Sequence, residues 1–343
     1  ESLVVDWSWA AGPTIEDFYD TVATGLHPLR RAARSGLAAG PGLFETLAQR
    51  GVKLDLVTDS APVAYCLDAA GQFDAQLLDL PVDESASTVE ETRISQLLAV
   101  AAEQWLASDF GRESRMLWIH AAGWHGPWDA PWAIRESLLA EDELQPSTGV
   151  DVSIDPGTED PDELLVARTA YAAETVALDG WLGDFLAAVV SSAGVAETVL
   201  VVGGARGFAL GEHGQFGRGR RPCYSEFLHT PLLVRPPGVT APLPRGGGLR
   251  SPCDLTATLL DWLLATGWSG SIDGESLLAA PGGKSCPPGR RWNVSYGDDD
   301  LGLRTPAWML RQSGVGSSGE GAEVELYAKP DDRWEANEVS SLC

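Results

Sequence analysis

Short apolar runs alternate with helical stripes along the chain. That alternation predicts an α/β fold with a mostly parallel, helix-flanked central sheet. Residues 2–6 read as a strand ending on Asp6, residues 52–59 alternate and then run apolar, and residues 116–120 form another buried strand. Thr88-Val-Glu-Glu91 is a capping-box signature, opening a helix with Ile94, Leu97, Leu98, Ala101 and Trp105 on one face. Residues 144–161 are rich in Pro, Asp, Ser and Thr and read as a loop. Asp160-Pro-Asp-Glu163 then joins an N-cap, a first-turn proline and a capping glutamate, so a helix starts there. Leu178, Leu182, Phe185, Leu186 and Val189 give its later turns an apolar stripe, and Gly194 ends it.

The β-branched run at residues 199–202 reads as a strand, which four glycines in the next nine residues break sharply. Arg206, Glu212, His213 and Arg218 follow it. Loops leaving the carboxyl ends of strands in an open α/β sheet line the ligand crevice, so this stretch is a candidate site.

The 343 residues suffice for a sizeable core. The net charge of −25 opposes binding to nucleic acid or anionic membranes. An anionic ligand must therefore be drawn in by a local basic pocket against the global field. Cys66, Cys223, Cys253, Cys286 and Cys343 are scattered without a CxxC pair, which is neither a zinc pattern nor a disulfide framework. No apolar run reaches the ~18–20 residues of a membrane span and no leader pattern is visible, so the default expectation is a soluble, cytoplasmic chain.

The stretch after the 199–202 strand resembles the sulfatase branch of the alkaline-phosphatase superfamily. There the strand ends in Thr-Ser-Asp-His-Gly or its Asn variant, followed by Gly-Glu-His-Gly and a Lys. Gly207, Gly211, Glu212, His213 and Gly214 match, whereas the two metal-binding positions are Ala205 and Arg206. The family's first strand ends in two metal-binding aspartates; Asp6 matches the first and Trp7 replaces the second. Residues 26–36 and 43–51 are similar to the family's early helices. The Cys/Ser-x-Pro-x-Arg nucleophile segment that belongs between them, at about 36–43, is missing. His125-Gly-Pro-Trp-Asp-Ala-Pro131 resembles the loop whose His contacts the sulfate ester. Further on, Glu226 to Gly238 resembles the family's Pro-Leu-Ile-Ile-Arg strand, and the helix from Asp254 has that residue as its expected N-cap. The closing Leu326-Tyr327 and Asp332-x-x-Glu-x-Asn337 also fit. The resemblance implies a domain over 1–280 and a C-terminal antiparallel subdomain over 281–343.

Cys286-Pro-Pro-Gly-Arg290 satisfies Cys-x-Pro-x-Arg literally, but it lies in a Gly/Pro-rich linker far from the family's position and is read as a decoy. Asn293-Val-Ser295, a glycosylation pattern, carries equally little weight. Trp124, Trp128 and Trp132 either stack on a ring-shaped ligand or plug a loop, and packing is the preferred reading. No nucleophile elbow, P-loop or early dinucleotide fingerprint is present. A zinc site from His120, His125, His213 and His229 competes with ordinary structural roles for those histidines.

The expectation is a sulfatase-like protein, catalytically degenerate, that binds a sulfated or phosphorylated small molecule or glycan. Its substrate-binding residues are expected to be His125, Arg206, His213 and Arg218, with Asp6 as a metal-site remnant and no cofactor. Arg206 is expected to pair with Asp6 and stand in for the missing cation. The alternative is an active hydrolase of sulfuric or phosphoric esters built on other residues, with a divalent cation such as Ca2+.

Overall fold

Residues 3–9 form strand β1 (Leu3–Trp9), longer than expected because backbone pairing continues past Asp6 through Trp9. In this computed structural model the described residues are 2–33, 41–68, 71–80, 86–108, 113–122, 128–139, 160–192, 195–217, 222–239, 243, 245–264, 271–278, 288–297, 299–315 and 322–343. They belong to two units: Glu1–Gly51, Ala196–Gly207 and Arg221–Cys343 make one, Val52–Val195 and Phe208–Arg220 the other.

In the first unit β1 pairs antiparallel with β6 (His229–Thr230) and β7 (Leu232–Arg235), and parallel with β8 (Gly246–Arg250). Pro231, which has no N–H to give a ladder, separates β6 from β7. Strand β5 (Leu200–Gly203) adds antiparallel to β7. The larger sheet is therefore mixed, and the α/β class expected from the sequence is the one the chain adopts. Helices α1 (Ile15–Thr24), α2 (Pro28–Ala33), α3 (Leu43–Gln49), α8 (Ser225–Leu228) and α9 (Pro252–Leu264) complete this part. Thr14 and Asp17 form a reciprocal capping box that starts α1, a helix the periodicity did not signal.

The start of α9 corrects one expectation. The helix begins at Pro252, so Ser251 is its cap and Asp254 occupies the third helical position, accepting from Ser251 N at 3.0 Å. Fully buried, Asp254 also receives Arg290 through two bonds of 2.5 and 2.6 Å and Glu275 N at 2.7 Å. The arginine of the decoy motif is thus spent on a structural pair; Cys286 itself lies outside the described residues.

A second, antiparallel sheet of this unit runs β9 (Asn293–Gly297), β10 (Asp300–Arg304), β11 (Trp308–Gln312) and β12 (Val324–Ala328) in sequence order. Its buried polar centre is Arg311, which donates to Asp300 at 2.8 and 3.0 Å, to Glu325 at 3.0 Å and to the Tyr224 hydroxyl at 3.1 Å. Asp300 in turn accepts Cys223 N at 2.7 Å. With its charges paired and its donors used, the guanidinium is tolerated inside the fold.

The other unit carries a parallel three-stranded sheet, β3 (Asp74–Leu77), β2 (Lys53–Thr58) and β4 (Arg115–His120). Helices α4 (Ala61–Asp68), α5 (Arg93–Leu106), α6 (Trp132–Ser137) and the 31-residue α7 (Pro161–Ser191) accompany it. Asp160 caps α7 as predicted, accepting Asp162 N at 3.0 Å, and the helix ends at Ser191; Gly194 is outside the described residues. The Thr88 capping box closes a short 3-10 turn, and Thr92 caps α5 itself. Ile94, Leu97, Leu98 and Ala101 are buried as the stripe predicts, each large side chain contributing about 1.5–3 kcal/mol.

Trp128 is 1% exposed and packs edge-on against Tyr171, Phe208 and Phe216, which is the plugging role expected. Beneath it Glu174 accepts Ala130 N at 2.6 Å, and Arg135 donates to Trp128 O at 2.9 Å. Burial, then the neighbouring Asp129 carboxylate, push the Glu174 carboxyl up to about 7. Trp124 lies outside the described residues, and among them no helix is long and apolar enough to cross a membrane.

Two outcomes follow from these buried charges. Arg311→Ala strands two carboxylates and should cost about 3–5 kcal/mol in urea unfolding; a loss below about 1 kcal/mol would remove the network as a determinant of the sheet. Glu174 binds its proton more tightly folded than unfolded, so its contribution is complete below pH 4.5 and is lost as pH rises through about 7. Glu174→Gln keeps an oxygen for Ala130 N, and calorimetry should show it gaining on wild type at pH 8, by on the order of 1–3 kcal/mol, but not at pH 4. Parallel pH profiles of the two proteins would contradict this.

Candidate functional site

Asp6 sits in the middle of β1, half-buried, where the ladder to β8 shifts register between Val5 and Trp7. Val5 pairs with Gly246, so the residue leading into β8, Arg245, is brought alongside Asp6. Arg245 Nε donates to Asp6 Oδ1 at 2.8 Å, and Nη2 donates to the same oxygen. This corrects the expected pairing. Asp6 receives Arg245 and not Arg206, because the Val5–Gly246 pairing leaves Arg245 diagonally across the ladder from Asp6, whereas Arg206 lies beyond the end of β5.

On the same strand Trp7 and Trp9 stack on His229 of β6, with centroids 5.6 and 5.7 Å apart. His229 Nε2 donates to Asp6 O at 2.8 Å. The buried Arg304 guanidinium lies 4.8 Å from the Trp7 ring and 5.7 Å from that of Trp9. Desolvation lowers the Arg304 pKa to about 10, so it remains charged near neutrality. His229 is shifted down, first by desolvation and then, against its bond to Asp6, by Arg304, Arg333 and Lys329. The surroundings of this ring are electropositive in a strongly acidic protein.

An open cavity of about 350 Å³ borders these residues, lined by Val4–Asp6, the stretch 229–233, Arg245 and Arg333. Arg333 reaches it from the closing motif of the chain. Lys329 Nζ there pairs with the buried Glu335 at 2.8 Å and donates to Asp332 O and Arg333 O at 2.6 and 3.0 Å. Glu335 accepts Ser225 N at 2.9 Å, while Asp332 accepts the backbone of Ala336 and Asn337, both at 2.9 Å. The Asp-x-x-Glu-x-Asn pattern is therefore a folded clasp that presents Arg333, whose guanidinium lies over Trp334 at 4.8 Å.

The glycine-rich segment has its own local logic. A Cβ on Gly207 would lie 1.9 Å from Glu226 O, so only glycine permits the close approach that Gly207 N uses to reach Phe227 O at 2.8 Å. In the other unit Gly211 adopts φ 105° and Glu212 folds back onto Leu210 N at 2.6 Å. His213 is half-buried with φ 49° in the resulting turn. The predicted residues thus fall in different places: Asp6 and Arg206 in the first unit, His213 in the second, His125 and Arg218 outside the described residues. The segment at 36–43 is also outside them up to residue 40. Arg245 and Arg333 were not anticipated. Their signal in the sequence is only a lone arginine before Gly246-Gly-Gly248 and another inside the clasp.

A divalent cation needs several hard oxygen donors. The positions that the sequence resemblance matches to the family's ligands hold Asp6, Trp7, Ala205 and Arg206, and the one carboxylate among them is engaged by Arg245. Among the described residues no group of three or more His, Cys, Asp or Glu is arranged to hold a metal ion. The donor set at these positions does not fit the cation.

Against known proteins, the Sulfatase family matches residues 40–265, well over half of the chain. No curated protein matches it. Among solved structures it is similar to the phosphonate monoester hydrolase of Agrobacterium radiobacter, with 17% identity over 99% of this chain and 84% of that one and a TM-score of 0.69. A 2-O glycosaminoglycan sulfatase gives 15% identity, coverage of 99% and 80%, and a TM-score of 0.68. A protein in complex with its substrate D-glucosamine-2-N,6-O-disulfate gives 15%, 99% and 86%, and 0.66. These likenesses carry the fold, and the family match carries membership: the chain belongs to the sulfatase family.

Proposed function

We propose that this sulfatase-family chain is a binding or regulatory relative that recognises a sulfated or phosphorylated small molecule or glycan without hydrolysing it. The observation that carries this reading is the Asp6–Arg245 pair. A guanidinium occupies the one carboxylate retained at the family's metal positions, so its charge is met from within the chain. The substituted positions Trp7, Ala205 and Arg206 point the same way, as does the lack of a nucleophile motif near residues 36–43. His125, Arg206, His213 and Arg218 remain proposed ligand contacts on the strength of the family pattern. An oxyanion ester suits such a protein because charge-assisted hydrogen bonds from guanidinium and imidazole groups hold it without any bond being broken.

Elemental analysis of protein purified without chelator, with turnover of sulfate, phosphate and phosphonate esters measured on the same sample, tests the reading. The expected result is no stoichiometric divalent metal and no turnover, together with a rise in melting temperature on adding the disulfated glucosamine. Stoichiometric metal with turnover would replace the reading with an active ester hydrolase built on other residues.

A further inference from the structure

Resting on the reading that this chain binds an oxyanion ester, we infer that the cavity beside β1 is the subsite for the sulfuryl or phosphoryl group, held by Arg245 and Arg333. Of the site residues expected from the sequence, Asp6 is the one that lines it. The wall is backbone and aliphatic surface from Val4, Val5, Leu232 and Leu233, and the rim is cationic. Arg245 spends Nε and Nη2 on Asp6 Oδ1, which fixes the guanidinium plane and leaves Nη1 for a second acceptor. Arg333 has no acidic side-chain partner among the described residues; it is held by its stacking over Trp334 and by the Lys329–Glu335 clasp. Arg245 and Asp6 cancel in charge, so Arg333 supplies the net positive charge and Arg245 the directional donors. His229 is a wall and not a ligand: its Nε2–H is given to Asp6 O, and in that neutral tautomer Nδ1 is an acceptor that cannot donate to an oxyanion.

Size and field narrow the ligand. At about 350 Å³ the cavity is near the lower end of the ~300–1,000 Å³ typical of small-molecule sites, which suits one ester-bearing sugar ring. The chain's net charge of −25 repels anions at long range, so capture at this subsite falls to short-range contacts with these two arginines.

Titration calorimetry with the disulfated glucosamine, a glucosamine phosphate and unsubstituted glucosamine, at low and high salt, tests the assignment. Both esters are expected to bind wild type in preference to the unsubstituted sugar, and the tighter one names the ester class. Arg333→Gln and Arg245→Ala should each raise Kd about tenfold, the loss expected for one charge-assisted hydrogen bond. Arg50→Ala, which removes an exposed charge away from the cavity, should leave Kd unchanged. Arg333 is exposed, so its variant should keep the wild-type melting temperature and report on binding alone. Esters that bind wild type and both cavity variants equally would overturn the subsite and leave the ligand reading intact. Failure of wild type to bind either ester would overturn both.

Discussion

The backbone of β1 is the constraint on which the first unit depends. Its hydrogen-bonding groups are claimed from several directions: by β6 and β7 on one side and by β8 on the other. Just past its end, Ala10 N reaches Leu228 O at 2.7 Å. The second sheet attaches to the same run, through Asn293 Nδ2 on Trp9 O at 3.2 Å, Ser295 Oγ on Ala10 O at 2.5 Å and Tyr296 N on Ala11 O at 2.9 Å. Buried backbone groups left unpaired are costly, so this register is not free to slip. Asp6, Trp7 and Trp9 take their positions from it, and the partners of all three follow.

Family motifs in this chain explain themselves as architecture. Gly207 is required by the approach of the 226–227 backbone, Asp254 by Ser251, Glu275 and Arg290, and Glu335 by Lys329 and Ser225. Each satisfies a buried charge or a steric limit that holds whether or not chemistry takes place. Retention of these motifs therefore speaks for the fold and leaves the chemistry open, and function has to be argued from the site.

Much of the fold was legible because its signals are local. Asp160-Pro161 caps and starts α7, and the stripe from Ile94 to Ala101 buries as its period demands. Legibility failed where a partner is remote. Nothing near Asp6 in sequence points to Arg245, |i−j| = 239, since only the register of β1 on β8 brings them together. Asp254 was displaced from the cap by Pro252, which claims the first helical position, and Trp128 packs among aromatic residues that lie far from it in sequence. The cavity was invisible for the same reason, as its two arginines come from segments that sequence spacing does not relate.

The way β1 is claimed also bears on synthesis. Its last ladder partner, Arg250, lies 250 − 8 = 242 residues later than Ser8. At a ribosomal rate of about 5–20 residues per second, β1 waits roughly 12–48 s before its ladder can be filled, while most of the other unit emerges. A strand edge exposed for that long is a template for the wrong neighbour. A net charge of −25 works against association between copies of the chain, and Asp6 sets a charge in the middle of that edge.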